Sequence, residues 1–145
     1  MADFYIEQIN PYQALSLLKK YELPTADINF DTSIFLGGFI DNKLVGVIGL
    51  ELLGKLGLLR SLVVNEESRG EGIAKKLTKK LIKEAKNSSL LEVYLLATEA
   101  ESFFARNGFT KVIKTEAPPL IKQTKQYSEI CSDHAVVMKM DLDLA

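Results

Sequence analysis

A chain of 145 residues is long enough to bury a sizeable core within one domain. Hydrophobic residues make up 47% and charged residues 26%, the balance of an ordinary globular protein. Lys and Arg number 18 against 19 Asp and Glu, which argues against a protein built to hold long nucleic acid, where a strong basic excess is the rule. The one cysteine, Cys131, excludes an internal disulfide and is compatible with a reducing compartment. The opening residues MADFYIEQIN carry acids and no apolar segment, unlike a secretory signal. No apolar run approaches the roughly 20 residues that span a bilayer. The expectation is a cytoplasmic protein, a single domain over 1–145, with no nucleic-acid or membrane partner.

Taken in chain order, Phe4 to Ile9 alternates as a short strand. Asn10-Pro11 is a helix start, with Asn as cap and Pro in the first turn. Ala14, Leu15, Leu17 and Leu18 form its apolar face, and Pro24 bounds it. Thr25 to Asp31 reads as a loop. Ser33 to Ile40 and Leu44 to Leu52 flank Asp41-Asn42-Lys43, a hairpin turn. After a second turn at Gly54, Leu58 to Val64 is another strand. From Ile73 the period changes: Ala74, Leu77, Leu81, Ile82 and Ala85 recur at helical spacing, with Lys75, Lys76, Lys79, Lys80 and Lys83 on the wet side. Asn87-Ser88-Ser89 stops that helix, and Leu90 to Leu96 is a buried strand. Thr98 and Glu101 have the spacing of a capping box opening a helix that Asn107-Gly108 closes. Phe109 to Thr115 is a strand, Pro118 to Ile130 a helix begun by two prolines, and Ala135 to Leu142 the last strand. The order is mixed α/β, with hairpins early and strand-helix-strand units later.

The stretch Arg69-Gly70-Glu71-Gly72-Ile73-Ala74, between a strand and a helix, carries the clearest chemical signal. Two glycines let the backbone turn tightly and approach a ligand. The first amides of the following helix lack intrahelical partners and sit at the positive end of its dipole, a natural anion site. Arg69 or Lys75 can add charge-assisted hydrogen bonds. Taken alone, the six residues fit a ligand-free strand-to-helix turn equally well. They are neither a P-loop, lacking the Gly-Lys-Ser/Thr ending, nor a dinucleotide fingerprint, lacking the third glycine.

The longer stretch LLRSLVVNEESRGEGIAKKLTKKLIK, Leu58 to Lys83, resembles the acetyl-CoA-binding motif of the GNAT superfamily of N-acetyltransferases. Arg69, Gly72 and Ala74 match its (Arg/Gln)-x-x-Gly-x-(Gly/Ala) pattern. AESFFARNGF, Ala100 to Phe109, resembles that superfamily's second motif, a helix ending in Gly-Phe before a strand. The resemblance implies an α/β (α+β) fold with a central mixed, mostly antiparallel sheet of about six to seven strands flanked by helices. It implies acetyl-CoA as cosubstrate and no metal. Leu62, Val63 and Val64 would lie on the strand that pairs with the pantetheine arm, where a bulge or splay would free backbone N–H groups. Arg69, Gly70, Glu71, Gly72, Ile73, Ala74 and Lys75 would surround the pyrophosphate, and Ala97, Phe103, Phe104 and Arg106 would lie near the rest of the coenzyme. For Phe103 and Phe104, plain core packing is the competing reading.

The tail EAPPLIKQTKQYSEICSDHAVVM and the stretch GLELLGKLGLLRSLVV are similar to arsenic-resistance-operon N-acetyltransferases, a GNAT subgroup. More distantly, the chain is similar to the acetyltransferase domain of N-acetylglutamate synthases. Both imply a small amino-acid-like amine acceptor. One departure stands out: many GNAT enzymes have a tyrosine, the general acid for the leaving thiolate, where this chain has Phe104. Tyr127, Ser128, Cys131 or water would substitute, or the thiolate leaves unaided, since thiol pKa values are about 8.5.

An acceptor amine of pKa roughly 8 is about one-tenth neutral at pH 7, so a weak base suffices. Glu51, at the end of an apolar strand run, is the candidate base, with an exposed ion-pair partner of Arg60 as the competing reading. Arg60 interrupts the apolar run Leu58 to Val64, where a guanidinium can hold a carboxylate bidentately; it is the candidate acceptor-binding group or a structural partner of Glu51. His134, the only histidine, reads as a surface residue, because its neighbour Asp133 points to the opposite strand face. One histidine and one cysteine build no metal site. The leading expectation is transfer of acetyl to a small amino-acid-like amine by direct attack in a ternary complex. The alternatives are acetylation of a protein or peptide amine, and a coenzyme-A-binding regulator with little catalysis. GNAT proteins often dimerise, and the apolar last strand leaves a homodimer open.

Overall fold

The computed structural model of the chain describes residues 3–130 and 135–142. Strand β1 (Phe4–Ile9) leads into helix α1 (Pro11–Lys20). Asn10 caps α1 as its spacing predicts: its side chain accepts from the Gln13 N–H, and the Gln13 side chain accepts from the Asn10 N–H, each at 3.0 Å. Strands β2 (Ser33–Ile40) and β3 (Lys43–Leu53) form the expected hairpin. Its two turn residues, Asp41 and Asn42, take φ of 48° and 69°, the left-handed pair that a tight two-residue hairpin requires. Strand β4 (Leu56–Val64) follows, then helix α2 (Ile73–Asn87), β5 (Glu92–Ala97), helix α3 (Glu101–Arg106), β6 (Thr110–Val112), the single turn α4 (Pro119–Lys122) and β7 (Val136–Asp141).

The seven strands form one sheet in the order β1-β2-β3-β4-β5-β7-β6. Every neighbouring pair is antiparallel except β4 and β5, which α2 joins as a crossover. This is the mixed, mostly antiparallel sheet that the resemblance implies. On one face α2 buries Leu77, Leu81 and Ala85 against Leu36, Ile48, Leu50 and Leu59. On the other face Ala14, Leu17 and Leu18 of α1 meet Phe35, Val47 and Val63. A third cluster on the α1 face joins Leu58, Tyr94 and Val137 to Ala117 and Ile121 of the chain before β7.

Three local expectations need correction. Thr98 and Glu101 make no capping box: α3 begins at Glu101, its N-cap position is Ala100, and no side chain caps it. Residues 98–100 are used instead to turn the chain away from the end of β5. The strand expected over Phe109 to Thr115 pairs with β7 only at Thr110–Val112, because the backbone coils into a 3-10 turn at Lys114–Glu116. The helix expected over Pro118 to Ile130 breaks after α4 and resumes as a π-type turn, Gln126–Ile130. Thr124 explains the break: its hydroxyl donates to the Ile121 carbonyl at 2.7 Å and accepts from the Tyr127 N–H at 3.2 Å, in place of regular helical pairing. Cys131, Asp133 and His134 lie outside the described residues.

Candidate functional site

The parallel ladder between β4 and β5 is short. It pairs Leu56–Leu58 with Glu92–Tyr94 and then stops, so the C-terminal halves of the two strands diverge. On its other edge β4 carries a bulge. Val63 pairs with Val47 and Arg60 with Gly49, leaving Ser61 and Leu62 opposite the single residue Ile48. Ser61 sits at φ 59°, a left-handed conformation that is uncommon for serine and that here re-aims the strand. A cavity of about 360 Å³ fills the divergence, lined by Arg60, Ser61, Leu62, Ala97, Phe104 and Gln126 among others.

Beyond the end of β4 lies a second hollow of about 260 Å³, lined by Val64, Arg69, Gly70, Gly72, Ala74 and Phe103 among others. It is the N-terminal end of α2. Gly70 and Gly72 take φ of 85° and 79°, and a Cβ built on either would meet nothing within 4 Å. Glycine is required here for backbone conformation, and the space above it is open. No side chain caps α2 and its first turn holds no acid, so the free amides and the positive end of the dipole face outward unopposed. A bound pyrophosphate fits those features. Arg69 donates from Nε to the Val64 carbonyl at 2.9 Å, which fixes it at the mouth of the hollow.

The remaining expected coenzyme residues divide. Ala97 and Phe104 line the first cavity, and Val64 and Phe103 the second, so the two aromatic neighbours line different cavities. Phe104 is also core: its ring meets Phe103 and Phe109 edge-on at 5.1 and 5.7 Å. Val63 is buried against α1. Glu71 and Arg106 are exposed and line neither cavity.

Arg60 lines the first cavity, with a side chain only 1% exposed, while Glu51 lines neither cavity. Glu51 pairs with Leu58 in the ladder and Arg60 with Gly49, so the two side chains share a face diagonally. Arg60 Nη1 lies 3.7 Å from the Glu51 carboxylate. A closer partner was not legible in the sequence. Asp27, in the loop after α1, takes both terminal nitrogens bidentately at 2.6 and 2.8 Å. The guanidinium also donates to the Pro24 carbonyl at 3.3 Å and to Ser61 Oγ at 3.2 Å, and Gln126 donates to Asp27 at 3.2 Å. Asp27 has no motif around it, and Glu22 and Asp31 are equally acidic neighbours in the same stretch, so nothing in the sequence singled it out.

The two carboxylates diverge electrically. Burial pushes Asp27 upward, but its hydrogen bonds from Arg60 and the guanidinium charge outweigh that, and its pKa falls below the ordinary carboxylate range. Glu51 has no such bond. Burial raises it, the Arg60 charge only partly offsets that, and the negative charge of Asp27 adds to the rise. The site therefore holds one carboxylate fixed as an anion beside one that accepts a proton more readily than usual. Of the side chains expected to replace the missing tyrosine, Tyr127 donates its hydroxyl to the Lys114 carbonyl at 3.2 Å, and Ser128 is exposed.

Comparison with known proteins gives this geometry its family. Residues 2–109 match the acetyltransferase (GNAT) family, and the chain belongs to it. A curated relative, an amino-acid acetyltransferase of Mycobacterium tuberculosis, is 32% identical over 104 residues, covering 71% of this chain and 56% of the relative. The chain thus spans little more than half the length of that protein. Among solved structures, N-acetylglutamate synthase from Neisseria gonorrhoeae complexed with coenzyme A and L-arginine superposes with a TM-score of 0.78 at 18% identity, over 98% of this chain and 34% of that one. A GNAT-family acetyltransferase from Staphylococcus aureus Mu50 superposes at 0.72 with 20% identity, over 97% of this chain and 100% of that one. These last two establish the fold. Among the described residues no cluster of His, Cys, Asp and Glu is arranged to hold a metal ion, and no helix is long and apolar enough to cross a membrane.

Proposed function

We propose that this protein is an acetyl-CoA-dependent N-acetyltransferase whose acceptor is the amine of a small amino-acid-like molecule. One observation carries the reading: two hollows lie along the C-terminal half of β4 where it diverges from β5, one at an uncapped, glycine-lined helix N-terminus and one reaching the buried Arg60, which is paired with Asp27 and Glu51. The coenzyme would supply an activated acetyl group. Arg69 to Lys75 would hold its pyrophosphate, and Leu62 to Val64, with Ala97, Phe103 and Phe104, would line its arm. Glu71, within that loop but outside the hollow, and Arg106 would act from outside on its exposed end.

Glu51 is the proposed base. Its raised affinity for protons suits removal of a proton from an ammonium near neutral pH, directly or through a water. Arg60 sets its place, and through Asp27 and Pro24 ties it to the loop at the acceptor end. Recognition of an acceptor carboxylate by Arg60 would have to compete with Asp27 for the same donors. The relative's name as an amino-acid acetyltransferase favours an amino-acid-like acceptor, and the likeness of the tail to arsenic-resistance enzymes adds arsenical and phosphinic analogues to the candidates. A coenzyme-A-binding regulator is the second reading, favoured by Phe104, which cannot donate a proton to a thiolate.

The test is thiol release from acetyl-CoA with amino acids, arsenical and phosphinic analogues, polyamines and peptides as acceptors. Release with one amino-acid-like class, reduced about 10²-fold or more by Glu51→Gln without change in the acetyl-CoA KM, supports the enzyme reading. Coenzyme binding without release from any acceptor would favour the regulator.

A further inference from the structure

The segment between β4 and α2 has to hold the α2 amides at a fixed distance from the end of β4, yet its middle, Gly70 to Gly72, is exposed and touches little. Its two ends are tied by the Asn65 N–H to the Val45 carbonyl and by Arg69 Nε to the Val64 carbonyl, and a further hold comes from the other face of the sheet. Tyr21, the first residue past α1, reaches across and places its hydroxyl between two groups of that segment. Tyr21 Oη donates to Asn65 Oδ1 at 2.7 Å and accepts from the Glu66 N–H, also at 2.7 Å. Asn65 is only 5% exposed, and its side chain makes no cap for the 3-10 turn Glu66–Ser68 that follows it; Lys20 Nζ donates to the same oxygen at 3.1 Å. The Arg69 guanidinium lies over the Tyr21 ring, 5.0 Å from its centroid, a cation–π distance. One side chain therefore grips the segment at its start, by the hydroxyl, and at its last residue before the glycines, by the ring.

We infer that Tyr21 is the positioning residue of the anion-binding loop: it sets the aim of the Arg69–Ala74 backbone at the coenzyme without touching the reacting atoms. This rests on the coenzyme reading given above. Tyr21 is also six residues before Asp27, so the chain after α1 contacts both the segment leading into α2 and Arg60. A tyrosine here needs both halves of its side chain, an aromatic face for Arg69 and a hydroxyl that donates and accepts together.

The test compares Tyr21→Phe, which keeps the ring, with Tyr21→Leu, which loses ring and hydroxyl, against Leu17→Val as a control that loosens the α1 core only. Amide hydrogen exchange of the free protein reads the loop directly, and calorimetric titration with coenzyme A and steady-state rates read its consequence. Tyr21→Phe should speed exchange at Glu66 and Arg69 to Gly72 and raise the coenzyme A Kd and acetyl-CoA KM about ten-fold, the scale of losing two hydrogen bonds, with kcat within two-fold. Tyr21→Leu should raise them further, and Leu17→Val should lower Tm while leaving the Kd unchanged. Wild-type exchange and Kd in both Tyr21 variants would overturn the inference, as would a Kd loss in Leu17→Val as large as that in Tyr21→Phe. If the wild-type protein fails to bind coenzyme A, the functional reading falls, while faster loop exchange in Tyr21→Phe would still establish the positioning role.

Discussion

Replacing Asp27 by alanine removes the bidentate partner of a guanidinium whose side chain is 1% exposed, in a pair whose other member is 9% exposed. Breaking a buried pair from one side leaves a charge out of water and costs about 3–5 kcal/mol. Glu51 at 3.7 Å remains as a distant counter-charge, so the lower end, about 3 kcal/mol, is expected. Unfolding entropy near 60 °C is roughly 2.1 cal/mol/K per residue, or about 0.3 kcal/mol/K for a chain this long, so Tm should fall by roughly 10 °C. Urea unfolding at pH 7.5 and thermal melts measure both. Asp27 has its pKa lowered on folding, so its contribution is complete above the unfolded carboxylate pKa of about 4 and is lost as pH falls through the lower folded value. The gap between wild type and variant should therefore close in strong acid. The double variant Asp27→Leu/Arg60→Met, which replaces both charges by apolar groups, should recover most of the loss. A cost for Asp27→Ala under about 1 kcal/mol, the value of an exposed pair, or a double variant less stable than either single one, would refute the reasoning.

Glu51→Gln should trade activity for stability. Burial raises the Glu51 pKa on folding, so the folded wild type is penalised as pH rises through that value; the variant should melt higher than wild type at pH 8, and the advantage should vanish below about pH 4. Gly72→Ala, at φ 79°, should cost about 1–2 kcal/mol from left-handed strain alone. Because the space around it is open, its larger effect should be a raised acetyl-CoA KM in steady-state assays. Asn10→Ala removes the capping box of α1 and should cost about 1 kcal/mol in urea unfolding, with kinetics unchanged.

The elements of this fold were legible where the signal is local. The Asn10 cap, the Asp41-Asn42 turn and the apolar stripe of α2 each act within a few residues, and each appears where its chemistry predicts. The glycine-lined start of α2 was equally readable, because helix ends and φ preferences depend on neighbours along the chain. Local reading failed where a neighbour in space decides. Thr98 has the spacing of a cap, yet the exit from β5 delays the helix to Glu101. Thr124 looks compatible with a helix until its hydroxyl takes a backbone partner.

The amino-acid sequence by itself determined the period of each element, the anion-ready turn and the oddity of one arginine in an apolar strand. It also named Glu51 as that arginine's partner, but only the tertiary structure decided that Asp27 meets it more closely. Asp27 and Tyr21 stand in or beside an irregular loop whose pattern predicts nothing, and they reach Arg60 and Arg69 because α1 packs over the sheet and returns the chain across β4. Charge pairing and aromatic contact act through space over a few ångströms, and a sequence orders residues only along the chain.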